Sequence, residues 1–290
     1  MCALSWRFTG VFWVLFTFFF MIVPRPCQAE EKPGSDVIRF GVFPSTSPKT
    51  IVETYGPLAA LLERKLGRKI TLLSAPDDKI FLEKARNGDY DLLLSSCTLY
   101  FKLRPAGYKV IAKGDSFFYG GAVVRQDSEI KTLEQLKGKR VAAIGDYSYA
   151  GYHFILSLLA EKGLNPGEDV AFQFLGKTDT ILYGVINRKF AAGLLRLDAL
   201  DHPAFAGIRD QVRVIARSPE IPHHPFIVKN SMDTSTIAAI QEALTALSPD
   251  RPEELGILNN MQVKKIVVAT DVDYAGFYEQ IKDTDYFRKP

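Results

Sequence analysis

Short apolar runs that alternate with helical patterns constrain the fold of this chain most strongly. The runs "VIRFGVF" (37–43), "YDLLLSS" (90–96) and "KRVAAIG" (139–145) are short and nearly continuous, as buried strands are. Segments such as "KTIVETYGPLAALLERKLG" (49–67) place apolar residues at helical spacing and end at a glycine. This alternation predicts βαβ units and largely parallel sheets, which bind ligands beyond the carboxyl ends of their strands.

The N-terminal segment predicts export. Residues 8–23 form an uncharged apolar run that follows Arg7 and precedes "PRPCQAEE". This run is short for a membrane span, and the small residues before Glu30 match the cleavage site of a secretory signal. We expect residues 1–29 to be a signal peptide and the mature protein to reside in the periplasm. A retained membrane anchor is the alternative.

Charge and cysteine content narrow the class of the mature chain. Removing residues 1–29 takes away two of the 36 basic residues and none of the 33 acidic ones, so the net charge becomes +1. This balance argues against a nucleic-acid-binding surface. Cys97 would be the one remaining cysteine, which excludes an intrachain disulfide. Since 47% of the full sequence is apolar, the remaining chain can form two lobes, each with its own core.

Hydroxyl residues follow several predicted strands and are the first candidates for ligand contacts. In "PSTSPK", Ser47 suits the N-cap of the next helix because a proline follows it. Ser45 and Thr46 lie nearer the end of the strand and are candidate ligand residues. The turn "GDYSYAG" (145–151) joins a buried strand to a helix start, whose free N–H groups can hold an anion.

Metal binding and catalysis receive no support from the motifs. His223 and His224 are adjacent on an extended segment, so their side chains point to opposite sides, and no familiar metal spacing surrounds them. We expect no metal and no cofactor, and His223 is a candidate cleft contact. The sequence has no nucleophile elbow, P-loop or HExxH helix. It therefore predicts a binding protein rather than an enzyme, with Cys97 as a small buried hydrophobic residue.

Five segments resemble, in order and spacing, the periplasmic phosphonate- or phosphate-binding proteins of ABC importers. They are "IRFGVFPSTSPK", "GDYDLLLSSCTLYF", "AVVRQDSEIKTLEQLKGKRVAAIGD", "VRVIARSPEIPHHPFIVK" and "VVATDVDYAGFYEQI". The resemblance covers about residues 37–281 and implies an α/β, two-lobed type II periplasmic-binding-protein fold. In that fold two mainly parallel sheets, flanked by helices, are joined by two crossover strands and close on a solute.

The resemblance also implies how the chain is divided. Residues 37–118 together with 222–290 would form the first lobe, and residues 121–215 would form the second. Hinges would lie near 119–125 and 213–219. We expect the protein to be a monomer.

The resemblance implies ligand contacts that this chain has partly changed. Family members carry Ser-Thr-Ser-Gly at the turn that binds phosphonate oxygens, and the matching residues here are Ser148, Tyr149, Ala150 and Gly151. Alanine removes one hydroxyl, and tyrosine is much bulkier than threonine. Each lost hydrogen bond to a charged oxygen is worth about 1.5–3 kcal/mol. We therefore expect the turn to accept an anion but to bind phosphonate differently.

Further candidates follow two other predicted strands. Tyr100 matches a tyrosine of the family, and Ser96 and Thr98 offer hydroxyls to a solute or, alternatively, cap the following helix. Arg196 stands where some family members have an acidic residue, so it favours a carboxylate or other planar anion. The alternative roles of Arg196 are a salt bridge between the lobes and a solvated loop side chain.

The sequence as a whole predicts an exported solute-binding protein that delivers a small anionic solute to the permease of an ABC importer. The solute would be phosphonate- or phosphate-like or would bear a carboxylate, and the lobes would close on it by hinge motion. One alternative is a periplasmic sensory protein that signals to a membrane kinase or cyclase. The other is an enzyme on the same scaffold. The expected partners are the solute and the permease, with no nucleic acid.

Overall fold

The structure, a computed structural model, describes residues 37–282, so the predicted signal peptide lies outside the described residues. Within that range the fold is α/β, which confirms the predicted class. The strands are β1 Val37–Val42, β2 Lys69–Leu73, β3 Leu92–Leu94, β4 Tyr108–Gly114, β5 Phe117–Phe118, β6 Gly120–Arg125, β7 Arg140–Ala143, β8 Ala171–Phe174, β9 Ala192–Arg196, β10 Val212–Arg217, β11 Ile221–Pro222, β12 Pro225–Lys229 and β13 Ile266–Val268. The helices are α1 Pro48–Leu66, α2 Asp78–Asn87, α3 Cys97–Leu103, α4 Phe154–Glu161, α5 Thr178–Ile186, α6 Thr234–Thr245, α7 Pro252–Asn260 and α8 Ala275–Ile281.

The strands form two larger sheets. The first sheet has the order β13-β4-β12-β3-β1-β2, and the second has the order β10-β6-β9-β7-β8. β1 is parallel to β2 and β3, and β7 is parallel to β8 and β9, as βαβ units require. The other pairs are antiparallel. The sheets are therefore mixed rather than mainly parallel, because the strands that leave and re-enter each sheet run in opposite directions.

The chain passes between the two sheets twice, and the two passages pair with each other. The first runs from β4 through β5 to β6, and the second from β10 through β11 to β12. Phe118 of β5 pairs with Ile221 of β11 in an antiparallel ladder. The predicted hinges near 119–125 and 213–219 overlap β6 and β10, which adjoin β5 and β11 in the chain. The lobe boundaries remain a prediction.

Local sequence explains the limits of α1. Ser47 Oγ accepts the N–H of Thr50 at 3.2 Å, so Ser47 is the N-cap that the sequence predicts. Gly67 ends the helix in the left-handed conformation, with φ 63°, which glycine adopts at low cost. The inner face includes Leu58, which is fully buried, and it packs against β2 and α6.

Buried apolar side chains connect the two sheets below the loops. The larger cluster contains Phe40 and Phe226 of the first sheet and extends to Ala142 and Leu195 of the second. The second sheet has an additional cluster on its other face, which includes Val141. The loops at the ends of both sheets thus stand on packed strands. No helix within residues 37–282 combines the length and apolar character needed to cross a membrane.

Candidate functional site

A cavity of about 120 Å³ lies where the loops of the two sheets meet. The loops after β1 and β3 form part of one wall, and the loops after β7 and β9 form part of the other. Its apolar and aromatic lining includes Phe43, Tyr55, Phe118, Ile144, Tyr147, Tyr149, Phe205, Ile221, Met261 and Phe277. Its hydroxyl lining includes Ser45, Thr46, Thr50, Thr54, Ser96, Thr98, Ser148 and Thr178. Apolar walls with a few convergent polar groups are typical of small-molecule sites.

Most of the sequence-predicted contact residues line this cavity. Those in the lining are Ser45, Thr46, Ser96, Thr98, Ser148, Tyr149, Ala150 and Arg196. Tyr100, Gly151 and His223 are not among the lining residues. The structure thus brings distant parts of the chain to one place, and their contact with a ligand remains a prediction.

Ser96 and Thr98 reach the cavity from the start of α3. Ser96 Oγ accepts the N–H of Leu99 at 3.2 Å, which makes it the N-cap of that helix. The same oxygen lies 3.1 Å from Thr98 Oγ1. A hydroxyl oxygen has two lone pairs and one proton, so Ser96 can cap the helix and still face a solute. The two roles considered for these residues are therefore compatible.

Tyr100 lies in the core behind this wall. Its side chain is fully buried, with its ring centroid 5.1 Å from that of Phe101 and 5.8 Å from that of Tyr274. Burial raises the pKa of its phenol, and Asp271 raises it further. Helical geometry explains the placement, because residues two positions apart do not share a face, and Thr98 is the one that reaches the cavity.

The turn at 148–151 is capped by its own serine. Ser148 Oγ accepts the N–H of Gly151 at 3.0 Å, so this N–H is already engaged. A side chain at position 151 would meet Ile144 Cγ1 at 2.8 Å, so glycine is required there for packing. Of the N–H groups of this turn that could hold an anion, the one of Gly151 is therefore bound by Ser148 in the structure.

The helix after this cap begins with a π-helical turn at Tyr149–His153 and continues as α4. N–H groups in the first turn of a helix have no acceptor within it. Tyr149 and Ala150, which occupy that turn, both line the cavity. The ring of Tyr149 meets that of Phe277 edge to face at 5.2 Å, so the turn also contacts the opposite wall.

Arg196 lines the cavity at the end of β9 but is held by neighbouring groups. Its Nε donates to Asp198 Oδ1 at 2.6 Å, and its Nη2 donates to Asp198 Oδ2. Its guanidinium carbon lies 4.2 Å from the ring centroid of Phe118, a cation–π contact. The side chain of Arg196 is 18% exposed. Its ion pair is local, within the turn after β9, and is not the predicted alternative of a salt bridge between the lobes.

The adjacent residues His223 and His224 are buried near Arg196. His223 Nε2 lies 3.2 Å from Arg196 Nη2, and burial together with that cation lowers the pKa of His223 to about 3. A neutral imidazole can therefore accept a hydrogen bond from Arg196 through Nε2. His224, rather than His223, lines the cavity, with its ring between Phe43 and Phe118. Burial lowers the pKa of His224 well below its ordinary value.

Hydrogen bonds connect the two walls directly. Thr178 at the start of α5 donates its N–H to the carbonyl oxygen of Ser45 at 3.0 Å. Lys177 Nζ donates to the carbonyl oxygen of Thr46 at 3.2 Å. The walls are thus joined beside the cavity through backbone carbonyls of the β1–α1 loop.

A second connection joins α1 to the turn after β9. His202 Nδ1 accepts the N–H of Ala204 at 3.1 Å, so its proton resides on Nε2, which donates to Thr54 Oγ1 at 3.2 Å. Nearby, Gln262 Nε2 donates to the carbonyl oxygen of Asp198. Sequence reasoning missed these residues, since none stands at a predicted strand end or in a family motif.

The described part of the chain contains no cluster of side chains suited to binding a metal ion. There, no group of three or more His, Cys, Asp or Glu residues is arranged to hold a metal ion.

Cys97 lines the cavity, but burial raises the pKa of its thiol to about 12, so it is a weak nucleophile.

Comparison with known families accounts for this arrangement. The family described as "ABC transporter, phosphonate, periplasmic substrate-binding protein" matches residues 40–274. A relative, the phosphate-import protein PhnD of Mycolicibacterium smegmatis, is 23% identical over 159 residues, which are 49% of this chain and 50% of that protein. The match thus spans about half the length of this curated relative.

Solved structures share the fold at low sequence identity. PhnD1 from Prochlorococcus marinus, solved in complex with methylphosphonate, has a TM-score of 0.77 and 17% identity, covering 84% of this chain and 96% of that chain. A binding protein component of a phosphonate ABC transporter from Pseudomonas aeruginosa has a TM-score of 0.74 and 16% identity, covering 84% and 86%. These structures confirm the type II periplasmic-binding-protein fold. Because the family match covers most of its length, the chain belongs to the periplasmic substrate-binding proteins of phosphonate ABC transporters.

Proposed function

We propose that this protein captures a small anionic solute in the cavity between its two sheets and delivers it to the permease of an ABC importer. The observation that carries this proposal is a cavity lined from both sheets, with hydrogen bonds joining its two walls. A solute that contacts both walls stabilises their closed arrangement, and the permease would recognise that arrangement.

Different residues of the lining would contact different parts of the ligand. Hydroxyls of Ser45, Thr46, Ser96, Thr98 and Ser148 would contact its oxygens, together with the first-turn N–H groups at 149–150. The aromatic rings of Phe43, Phe118 and Phe277 would pack on an apolar substituent. Tyr149 and Ala150 replace the two hydroxyl residues that the family turn places there, so the oxygens would be held differently from those of a phosphonate in that turn.

Family membership implies a periplasmic or extracellular location. We propose that residues 1–29 direct export and are removed there. The family consists of transport proteins, so it lends no support to the sensory and enzymatic alternatives.

A binding panel on protein purified from the periplasm of an expression host tests the proposal. The panel contains phosphate, alkyl- and aminoalkylphosphonates, sulfonates, carboxylates and amino acids. Ligand at a hundred times its dissociation constant adds about 2.7 kcal/mol, a rise in Tm of about 5–10 °C for a domain of this size. An anionic ligand confirmed by calorimetry supports the proposal. Stabilisation by neutral solutes alone contradicts the anionic class, and mass spectrometry of the N-terminus tests cleavage before Glu30.

A further inference from the structure

Arg196 is the only Arg or Lys among the described residues that line the cavity, and no Asp or Glu lines it. Its charge is already paired. Both the Nε and Nη2 donors of Arg196 bind the carboxylate of Asp198, which is the two-point geometry that a ligand carboxylate or phosphonate would use. Asp198 itself is absent from the cavity lining and lines a separate groove beside Phe117 and Tyr119.

From this geometry we infer that Asp198 determines the charge of the ligand: it neutralises Arg196, so that the cavity accepts a singly charged anion and rejects a dianion. This inference rests on the proposed function, because it concerns the same site. Hydrogen bonds from hydroxyls and N–H groups can stabilise a single negative charge on the ligand in a closed cavity. A second charge would be buried without a counter-charge, which is costly.

The pair is held in place from several sides. Phe118 covers the guanidinium at 4.2 Å, and His223 Nε2 lies 3.2 Å from Nη2. Gln262 binds the carbonyl oxygen of Asp198 from the opposite wall. The two side chains are only 18% and 24% exposed. An entering anion would therefore meet an Arg196 whose charge is already paired and whose Nε and Nη2 donors are already engaged.

Other charges near the cavity do not supply the missing counter-charge. Lys177 stands outside the lining, half-buried, with Nζ directed to the carbonyl oxygen of Thr46. Water screens such a charge more strongly than it screens a buried pair. The two histidines of the lining, His202 and His224, have pKa values lowered by burial and are neutral at physiological pH.

The test compares two probes, methylphosphonate and its monomethyl ester, at mildly alkaline pH, where the first is a dianion and the second a monoanion. Calorimetry gives both dissociation constants for the wild type and for Asp198→Asn. Coulomb energy scales with ligand charge, so a substitution that improves monoanion binding about tenfold should improve dianion binding about a hundredfold. The preference for the monoester should therefore shift by about tenfold or more towards methylphosphonate. The extra methyl group of the ester cancels in this comparison.

Two further variants serve as controls. Asp201→Asn removes an exposed carboxylate of the same turn, paired with Arg209 at 2.8 Å, and should leave the ratio unchanged. Arg196→Met combined with Asp198→Asn should abolish the shift, because the exposed cation is gone.

The outcomes separate the two proposals. An unchanged ratio in Asp198→Asn, or the same shift in Asp201→Asn, overturns the role of Asp198 while binding itself stands. Binding of methylphosphonate by the wild type as tight as that of the ester also overturns it. If neither probe nor any other anion binds any variant, the anionic function fails and the inference fails with it.

Discussion

Because of His223, the folding stability of this protein should decrease as the pH decreases in mildly acidic solution. Burial, and secondarily the Arg196 cation, lowers its pKa to about 3, whereas an unfolded chain has a histidine pKa of about 6.5. Between these values the unfolded state binds more protons than the folded state. Folding stability is therefore complete above pH 6.5 and declines as pH falls from about 6.5 towards 3.

The size of this effect follows from the two pKa values. At about pH 5 the unfolded imidazole is almost fully protonated while the folded one is neutral, so His223 costs about 2 kcal/mol relative to neutral pH. For a domain of this size that free energy corresponds to a Tm decrease of about 4–8 °C. Protonation would also remove the acceptor that faces Arg196 Nη2.

Two measurements test this value. The chain has four histidines, so their imidazole resonances can be followed individually through a pH titration by NMR and assigned by single substitutions. In denaturation experiments, His223→Asn should lose about 2 kcal/mol less stability between neutral pH and pH 5 than the wild type does. A His223 resonance that titrates near pH 6.5, or an identical pH dependence in the variant, would refute the reasoning.

Two further substitutions test the contacts between the walls and the packing beside the cavity. Thr54→Val leaves the Nε2–H of His202 without its acceptor when the walls are closed, so ligand affinity should fall about fivefold, whereas Thr54→Ser, which keeps the hydroxyl, should bind normally by calorimetry. Gly120→Ala would place a Cβ 2.4 Å from a backbone oxygen of the 148–151 turn, so urea denaturation should show a loss of about 1–3 kcal/mol. Gly56→Ala in α1, where the added Cβ meets nothing within 4 Å, should be neutral or stabilising, and an equal loss in both variants would contradict the packing argument.

The fold was predictable because its signals are local. Short apolar runs formed β1, β3 and β7, and apolar residues at helical spacing with a glycine stop formed α1. Strand direction was not predictable in the same way. β4, β6, β10 and β12 carry the chain between sheets, and their pairing depends on how distant segments return. The alternation of strands and helices along the sequence does not show how these distant segments return to the sheets.

The sequence predicted which regions of the chain form the site, but not the hydrogen bonds and ion pairs within it. Strand ends predicted Ser45, Thr46 and Ser96, all of which line the cavity. The sequence suggested a ligand contact, a salt bridge between the lobes or a solvated side chain for Arg196. It did not suggest the local pair with Asp198, because a carboxylate two residues later is equally compatible with a solvated turn. Likewise, helix phase alone decides that Thr98 faces the cavity and Tyr100 the core, and the phase of a seven-residue helix is hard to fix from its sequence.

The hydrogen bonds that join the two walls use other atoms than those proposed to contact the ligand. The walls are joined by backbone carbonyls of Ser45 and Thr46 and by the Thr54–His202 contact. Backbone carbonyls are present whatever the side chain, so these bonds survive substitution in the β1–α1 loop. The ligand, in contrast, would meet hydroxyls, aromatic rings and the 148–151 turn. The turn can therefore depart from Ser-Thr-Ser-Gly without loss of these hydrogen bonds. This explains how the chain retains the family's fold while the residues expected to hold the ligand have changed.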